Sequence, residues 1–125
     1  MPKIPMKPAA APVMNHLMKI EKMDKILELI RTEKALMLYF TTTGCNVCKS
    51  LQPKIRELLQ QNFPGIKFVI INMDEQNELS AQFSIFTVPT ILVYFNGTEH
   101  FRKTRYIGIR ELTALLSRPY NMLFE

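Results

Sequence analysis

The sequence predicts an α/β domain of three layers, in which helices cover both faces of a four-stranded mixed sheet. Short apolar segments alternate with helical patterns in the order strand, helix, strand, helix, strand. An Asn-Gly pair follows the third strand, and an amphipathic helix comes last. Because parallel strands are joined by right-handed helical crossovers, this alternation favours the strand order 2-1-3-4 with a hairpin at one edge.

The first helix is predicted from Asn15 to Glu33, with Asn15 as its N-cap. Its apolar stripe is formed by Leu17, Ile20, Met23, Leu27 and Ile30. The continuous apolar run at residues 35–40 predicts a central strand buried on both faces.

The second helix follows the two cysteines, and Pro53 inside it predicts a kink. Its apolar stripe is formed by Val47, Leu51, Ile55, Leu58 and Leu59. Residues 66–73 predict a second interior strand, and residues 77–83 predict a short helix.

The third strand is predicted within residues 87–95, and Asn96-Gly97 is the preferred pair for a type I′ turn. An antiparallel hairpin therefore follows. The last helix is predicted over residues 109–118, ending before Pro119. It presents Leu112, Leu115 and Leu116 to the sheet, while Tyr39, Phe40, Phe68, Phe83 and Phe86 are interpreted as packing residues.

The composition of the 125 residues, 47% hydrophobic and 22% charged, is typical of one globular domain. Residues 1–14 contain four prolines and indicate a flexible leader, so the domain is assigned to residues 15–125. This leader has no unbroken apolar region of the kind found in signal peptides, and we expect a cytoplasmic protein.

The composition also bears on partners. No apolar run approaches the roughly 18 residues of a membrane span, and we expect no membrane association. The formal charge of +5 is spread along the chain instead of interleaving with aromatic residues, and we expect no nucleic-acid partner. We expect a monomer.

Cys45 and Cys48, the two cysteines of the chain, lie between the first strand and the second helix. Closing so short a loop restrains little chain entropy, which argues against a structural staple. A structural zinc site needs four ligands, and His16 and His100 lack the close spacing of such sites, so we expect no metal. The pair either cycles between dithiol and disulfide or consists of two residues without a redox role.

Four local features of residues 15–116 together resemble the thioredoxin family. The C-x-x-C at 45–48 follows a buried strand and opens a helix, and Pro53 lies five residues after Cys48. The "TVPT" stretch at 87–90 precedes a strand, and "YFNGTE" is similar to the hairpin of the family. The resemblance implies a thioredoxin-like fold.

The chain also departs from the family pattern. Gly44 stands where the family usually has tryptophan, and Asn46-Val47 replaces the usual Gly-Pro. The family's buried aspartate falls on Tyr39, and its lysine neighbour falls near Ile70. The first strand of the family has no counterpart here, so the resemblance is to a shortened version of the fold.

The resemblance implies that Cys45 and Cys48 are the catalytic residues. Cys45 at a helix N-terminus, with Lys49 nearby, is the nucleophile, because backbone N–H groups there favour a thiolate. Cys48 then resolves the mixed disulfide. The implied substrate-binding residues are Gly44, Asn46, Val47, Thr87, Val88 and Pro89, with a cis Val88-Pro89 peptide that leaves the Val88 backbone free.

The implied activity is that of a thiol–disulfide oxidoreductase that reduces disulfides in protein substrates. Turnover requires an electron donor, either a thioredoxin reductase-like protein or glutathione, and no cofactor. One alternative is a thioredoxin-fold module that binds a partner or senses redox state without efficient turnover, since the usual Trp, Asp and Lys are absent. In another, two chains share a metal or iron–sulfur cluster through paired dithiols.

Overall fold

The computed structural model describes the backbone of residues 15–124 and the side chains of residues 22–124. The elements in chain order are α1 (Asn15–Thr32), β1 (Ala35–Thr41), α2 (Asn46–Asn62), β2 (Lys67–Asn72), α3 (Asn77–Gln82), β3 (Thr90–Phe95), β4 (Thr98–Thr104) and α4 (Ile109–Phe124). The strands form one sheet in the order β2-β1-β3-β4, which confirms the predicted order. The predicted leader and the side chain of the predicted N-cap Asn15 lie outside the described residues.

Strand β1 lies at the centre of the sheet, parallel to β2 and antiparallel to β3. All seven of its residues are buried, as predicted. Because successive side chains of a strand point to opposite faces, β1 contributes to two separate cores. Ala35, Met37 and Tyr39 belong to one core, and Leu36, Leu38 and Phe40 belong to the other.

The two cores lie on opposite faces of the sheet and are covered by different helices. The first core includes Leu51 and Ile55 of α2 together with Leu116 of α4. The second core includes Ile26 of α1 and Leu79 of α3. This arrangement is the three-layer architecture predicted from the alternating pattern, and it places the start of α2 above the carboxyl end of β1.

Strand β2 is an edge strand, as the predicted order 2-1-3-4 requires, so the separate interpretation of residues 66–73 as an interior strand was wrong. Its apolar residues face both cores: Phe68 and Ile70 contact the first, and Val69 and Ile71 the second. Helices covering both faces of the sheet account for the continuous apolar run, although β2 has a neighbouring strand, β1, on one side only. The apolar pattern therefore indicated that both faces of β2 are buried. It did not indicate whether β2 lies at the edge of the sheet.

The hairpin between β3 and β4 turns at Asn96-Gly97, as predicted. Phe95 pairs with Thr98, and the two turn residues have φ angles of 53° and 81°. Positive φ at both central positions is the requirement of a type I′ turn.

Helix α1 packs through a stripe that only partly matches the one predicted. Ile26 is buried in the second core, with Met23 and Ile30 packed against it, whereas Leu27 is exposed. The side chains of Leu17 and Ile20, which belong to the predicted stripe, lie outside the described residues. The rotation of α1 about its axis is set by its contacts with the sheet, which the spacing of apolar residues does not specify.

Helix α4 continues through Pro119 to Phe124, so the predicted stop was wrong. The ring of Tyr120 packs edge-on against Phe63 and stacks on Phe124. Its hydroxyl also accepts a hydrogen bond of 2.8 Å from the Gly65 N–H. These contacts offset the backbone hydrogen bond that a proline removes from a helix.

Two further side chains differ from their predicted roles as core residues. Leu115 is more than one-third exposed, while Leu112 and Leu116 are buried as predicted. Val47 is exposed, although it was placed on the apolar stripe of α2. Within residues 15–124, no helix has the length and apolar character needed to cross a bilayer.

Candidate active site

The loop between β1 and α2 carries the cysteine pair and is fastened to the end of β2. The Cys45 N–H donates to the Thr42 carbonyl at 3.3 Å. The Thr43 N–H donates to Asp74 Oδ2 at 2.9 Å, and Asn72 Nδ2 donates to Thr43 Oγ1 at 3.2 Å. Because β1 and β2 are parallel, their carboxyl ends meet at one edge of the sheet, where these bonds hold the loop in place.

Cys45 and Cys48 are joined by a disulfide bond at the N-terminus of α2. Cys45 is the N-cap residue, with extended backbone angles of φ −86° and ψ 101°. Its Sγ accepts a hydrogen bond of 3.1 Å from the Cys48 N–H. The sulfur therefore occupies the position in which Ser, Thr or Asp oxygens usually cap a helix, close to the positive end of the helix dipole.

The two sulfurs differ in their access to solvent. Cys48 is completely buried within the first core, whereas Cys45 is only partly buried and packs against the edge of that core. A solvent-borne disulfide can therefore reach the sulfur of Cys45 first. The arrangement supports sequential attack, first by Cys45 and then by Cys48.

Tyr39 connects the central strand to the cysteine pair. Its buried hydroxyl donates a hydrogen bond of 2.7 Å to the Cys48 carbonyl oxygen. Burial raises the pKa of Tyr39 to about 12, because the phenolate form is poorly solvated inside the core. The hydroxyl therefore stays protonated at neutral pH and acts as a donor, not as a base.

The segment before β3 brings a second part of the chain to the site. The β1–β3 register pairs Phe40 with Thr90, so Pro89 lies next to the carboxyl end of β1, where the cysteine loop begins. The Val88-Pro89 peptide bond is cis. The side chain of Val88 packs against the same core that contains Cys48.

Hydrogen bonds on both sides of Val88 fix this segment. Thr90 Oγ1 donates to the Thr87 carbonyl at 2.8 Å, and the Arg105 N–H donates to the Pro89 carbonyl at 2.8 Å. Within residues 22–124, neither the N–H nor the C=O of Val88 has a hydrogen-bond partner. A fixed backbone with one free donor and one free acceptor can pair with an extended chain.

The remaining predicted site residues are near the disulfide along the chain and largely exposed. Gly44 and Asn46 flank Cys45, and a side-chain carbon built on Gly44 would have no atom within 4 Å. Val47 is 63% exposed between the two cysteines. The space above the disulfide is therefore open on the side of Gly44.

The thioredoxin family model matches residues 16–118 of this chain. The chain belongs to the thioredoxin family. The thioredoxin-like protein YdfQ of Bacillus subtilis is 34% identical over 109 residues, covering 87% of this chain and 96% of YdfQ. The thioredoxin of Echinococcus granulosus is 34% identical over 91 residues, covering 71% of this chain and 84% of that protein.

The fold comparison agrees with the sequence comparison. The crystal structure of oxidized thioredoxin O2 from Arabidopsis thaliana superposes with a TM-score of 0.72 at 20% identity, covering 82% of this chain and 89% of thioredoxin O2. Family membership, the fold and the Cys45-Cys48 pair together identify this thioredoxin-family protein as a thiol–disulfide oxidoreductase.

Sequence reasoning missed two hydrogen bonds at the site of this thioredoxin-family protein. Asp74 holds the cysteine loop through the Thr43 N–H, and Tyr39 bonds to the backbone of Cys48. Phe86 was interpreted as a packing residue but is 80% exposed. The position of Asp74 just after an apolar strand was an available signal, and the resemblance put Tyr39 at the position of the family's buried aspartate. Nothing in the sequence near Phe86 indicates that its side chain is exposed.

Metal-ligating side chains do not cluster within the described residues of a single chain. Within that part of the chain, no group of three or more His, Cys, Asp or Glu side chains is placed to hold a metal ion.

Proposed function

We propose that this protein reduces disulfide bonds of protein substrates in the cytoplasm through a dithiol–disulfide cycle of Cys45 and Cys48. The observation that carries the proposal is the asymmetry of the pair, with Cys45 partly exposed at the N-cap of α2 and Cys48 buried behind it. The cytoplasmic part of the proposal is supported by the chemistry of the pair, because a reducing compartment keeps such a pair as a dithiol.

The cycle transfers two electrons from the dithiol to the substrate. The Cys45 thiolate attacks one sulfur of the substrate disulfide, forming a mixed disulfide and releasing the other substrate sulfur as a thiolate, which takes up a proton. Cys48 loses its proton, and its thiolate attacks the sulfur of Cys45. The second substrate thiol leaves, and the Cys45–Cys48 disulfide of the described structure forms.

The proton of Cys48 leaves without help from the side chain at position 39. Tyr39 keeps its own proton at neutral pH, because its pKa is about 12, and its hydroxyl already donates to the Cys48 carbonyl. Water is therefore the proton acceptor in this proposal, and the resolving step is slower than it would be with a carboxylate at this position.

The substrate chain binds as an extended segment along Val88. The free N–H and C=O of Val88 supply backbone hydrogen bonds, while Thr87 and Pro89 hold that backbone in place. In this proposal the exposed residues Gly44, Asn46 and Val47, which flank Cys45 or follow it, contact the other side of the bound chain. Recognition through backbone bonds suits a reductase that accepts many sequences.

The oxidised pair must be reduced again by a donor before another turnover. Either a thioredoxin reductase-like protein or glutathione fits the chemistry, because both deliver electrons through thiol–disulfide exchange. Supplying each donor in turn, with NADPH and glutathione reductase present in the glutathione arm, identifies the one that sustains turnover.

Reduction of insulin driven by dithiothreitol tests the proposed function. The parent protein is expected to accelerate insulin precipitation, and Cys45→Ser is expected to abolish the acceleration because it removes the nucleophile. Met122→Ser, an exposed change on the last turn of α4, is the control and should retain full activity. Equal activity in the parent and Cys45→Ser would reject turnover and favour a docking or redox-sensing module.

A trapping experiment assigns the roles of the two cysteines. Cys48→Ser lacks the resolving thiol, so it is expected to accumulate a mixed disulfide between Cys45 and the substrate that dithiothreitol releases. A trapped adduct on Cys48 in Cys45→Ser, instead of on Cys45 in Cys48→Ser, would reverse the assignment.

A further inference from the structure

Three large apolar side chains stand in solvent at the end of the sheet that carries the disulfide. Val47 is 63% exposed, Phe86 is 80% exposed and Tyr106 is 90% exposed. Single exposed apolar residues are ordinary on protein surfaces, whereas several around one reactive group indicate an interaction surface.

The two aromatic residues reach the Val88-Pro89 segment from different parts of the chain. Phe86 precedes this segment in the loop between α3 and β3. Tyr106 follows Arg105, whose N–H donates to the Pro89 carbonyl at 2.8 Å. Phe86 therefore lies two residues before Val88, Tyr106 follows the residue that bonds to Pro89, and Val47 lies between the two cysteines along the chain.

The backbone just before Phe86 is held by hydrogen bonds, although the side chain of Phe86 is exposed. The Ile85 N–H donates to the Ser80 carbonyl at 2.9 Å, and Arg102 Nη1 donates to the Phe83 carbonyl at 3.1 Å. Arg102 is itself fixed by two hydrogen bonds to the Glu99 carboxylate, of 2.7 and 2.9 Å. An exposed aromatic ring on a fixed backbone binds a partner with little loss of backbone entropy.

We propose that Phe86 and Tyr106 determine substrate specificity by binding large apolar side chains next to the half-cystine of an extended, incompletely folded polypeptide. The proposal rests on the proposed function, because it assumes that the substrate chain pairs with Val88. In an extended chain, side chains alternate between two sides at about 3.3 Å per residue, so residues flanking the half-cystine reach aromatic groups that border the segment. A folded substrate buries such side chains, and a small disulfide lacks them.

Two disulfide-cyclised synthetic peptides of equal length and charge test the proposal. One carries phenylalanine on both sides of a half-cystine, and the other carries serine there. Pre-reduced protein is mixed with each peptide in excess, and the second-order rate constant is followed, so no electron donor is needed. The parent is expected to react about threefold to tenfold faster with the phenylalanine peptide, the range of one or two aromatic contacts.

The double variant Phe86→Ser/Tyr106→Ser is expected to lose this preference while reacting with the serine peptide at the parent rate. Both positions are exposed, so the substitutions leave the core intact. Met122→Ser is the matched control, because Met122 is 77% exposed on the turn that packs at the far end of α2. Helix α2 has 17 residues and spans about 25 Å between that end and the disulfide.

Three results would overturn the inference. A parent that reacts equally with both peptides, or a preference that survives in the double variant, would reject the specificity role and leave the proposed function standing. A parent that reacts with neither peptide, like Cys45→Ser, would reject the proposed function and the inference with it.

Discussion

At the scale of the residue, Tyr39 links the centre of the sheet to the reactive pair. It lies on the buried strand β1, and its hydroxyl bonds to the Cys48 carbonyl at 2.7 Å. A phenol that stays protonated inside the core cannot accept the proton of Cys48, but it can hold the first turn of α2 in position. Its contribution is therefore structural, and it titrates only in alkaline solution.

Tyr39→Phe is expected to lower the free energy of unfolding by about 1 kcal/mol at neutral pH, the net value of one hydrogen bond. Urea denaturation of the parent and the variant measures the difference. Tyr106→Phe is the control, since the Tyr106 side chain is 90% exposed, and it should leave the stability unchanged. If Tyr39→Phe leaves the free energy of unfolding unchanged, the hydrogen bond to Cys48 contributes nothing to stability.

The difference in stability between the parent and Tyr39→Phe is expected to depend on pH. Burial raises the pKa of Tyr39 from 10.0 to about 12, so above pH 10 the unfolded chain loses this proton before the folded chain does. Deprotonation then stabilises the unfolded state. The stability advantage of the parent over Tyr39→Phe is expected to be constant below pH 10 and to shrink between pH 10 and 12. A difference that stays constant across this range would contradict the raised pKa.

At the scale of the element, the position of the cysteines depends on how the β1–α2 loop is fastened. Asp74, beyond the end of β2, accepts the Thr43 N–H at 2.9 Å, and its own N–H bonds to Asn72 Oδ1 at 2.8 Å. The turn after β2 thereby holds the loop that follows the neighbouring strand β1. The loop geometry is a property of two elements together.

Asp74→Ala is expected to speed amide hydrogen exchange at Thr43 by about fivefold, equivalent to one hydrogen bond of about 1 kcal/mol. Exchange followed by NMR on the oxidised protein measures the effect. Glu75→Ala removes the neighbouring exposed carboxylate and is the control. If both variants exchange at the parent rate, Asp74 does not hold the loop.

The last turn of α4 is a second case in which contacts between elements decide the structure. Tyr120→Ala removes the ring that packs on Phe63 and the hydroxyl that accepts the Gly65 N–H. We expect the free energy of unfolding to fall by about 1–3 kcal/mol, less than for a fully buried aromatic residue. Met122→Ala on the same turn should change it by less than about 0.5 kcal/mol. Thermal denaturation measures both, and equal effects would contradict the role of Tyr120.

At the scale of the whole molecule, one strand joins two cores. Met37 and Leu38 are adjacent in β1, both completely buried, and they face opposite cores. Because both cores share this strand and its neighbours in the sheet, neither can lose its packing without disturbing the other. The domain is therefore expected to unfold in a single cooperative transition.

Met37→Ala and Leu38→Ala are each expected to cost about 2–5 kcal/mol, the usual range for truncation of a buried aliphatic side chain. Each variant should also keep one transition, with coincident midpoints by far-ultraviolet circular dichroism and tyrosine fluorescence. Leu27→Ala, at an exposed position of α1, is the control and should cost far less. Separate transitions in either core variant would show that the two cores unfold independently.

Much of the site could be predicted because its signals are local. The Cys45–Cys48 spacing, the strand before it and the helix after it lie within one short stretch, and Asn96-Gly97 alone determines its turn. The environment of Phe86 could not be predicted in this way. An aromatic residue in a loop is buried or exposed according to which distant elements reach it, and here none covers its ring.

The amino-acid sequence by itself determined the order of strands and helices, the hairpin and the identity of the reactive pair. Each depends on hydrophobic periodicity or backbone preference, which act over a few neighbouring residues. Only the tertiary structure decided that Leu27 of α1 is exposed, that α4 passes through Pro119, and that Tyr39 bonds to Cys48. The reason is physical: the rotation of a helix, its extension and the burial of a side chain are outcomes of contacts between residues far apart in the chain. Such contacts compete with local preferences and prevail when they bury more surface or satisfy more polar groups.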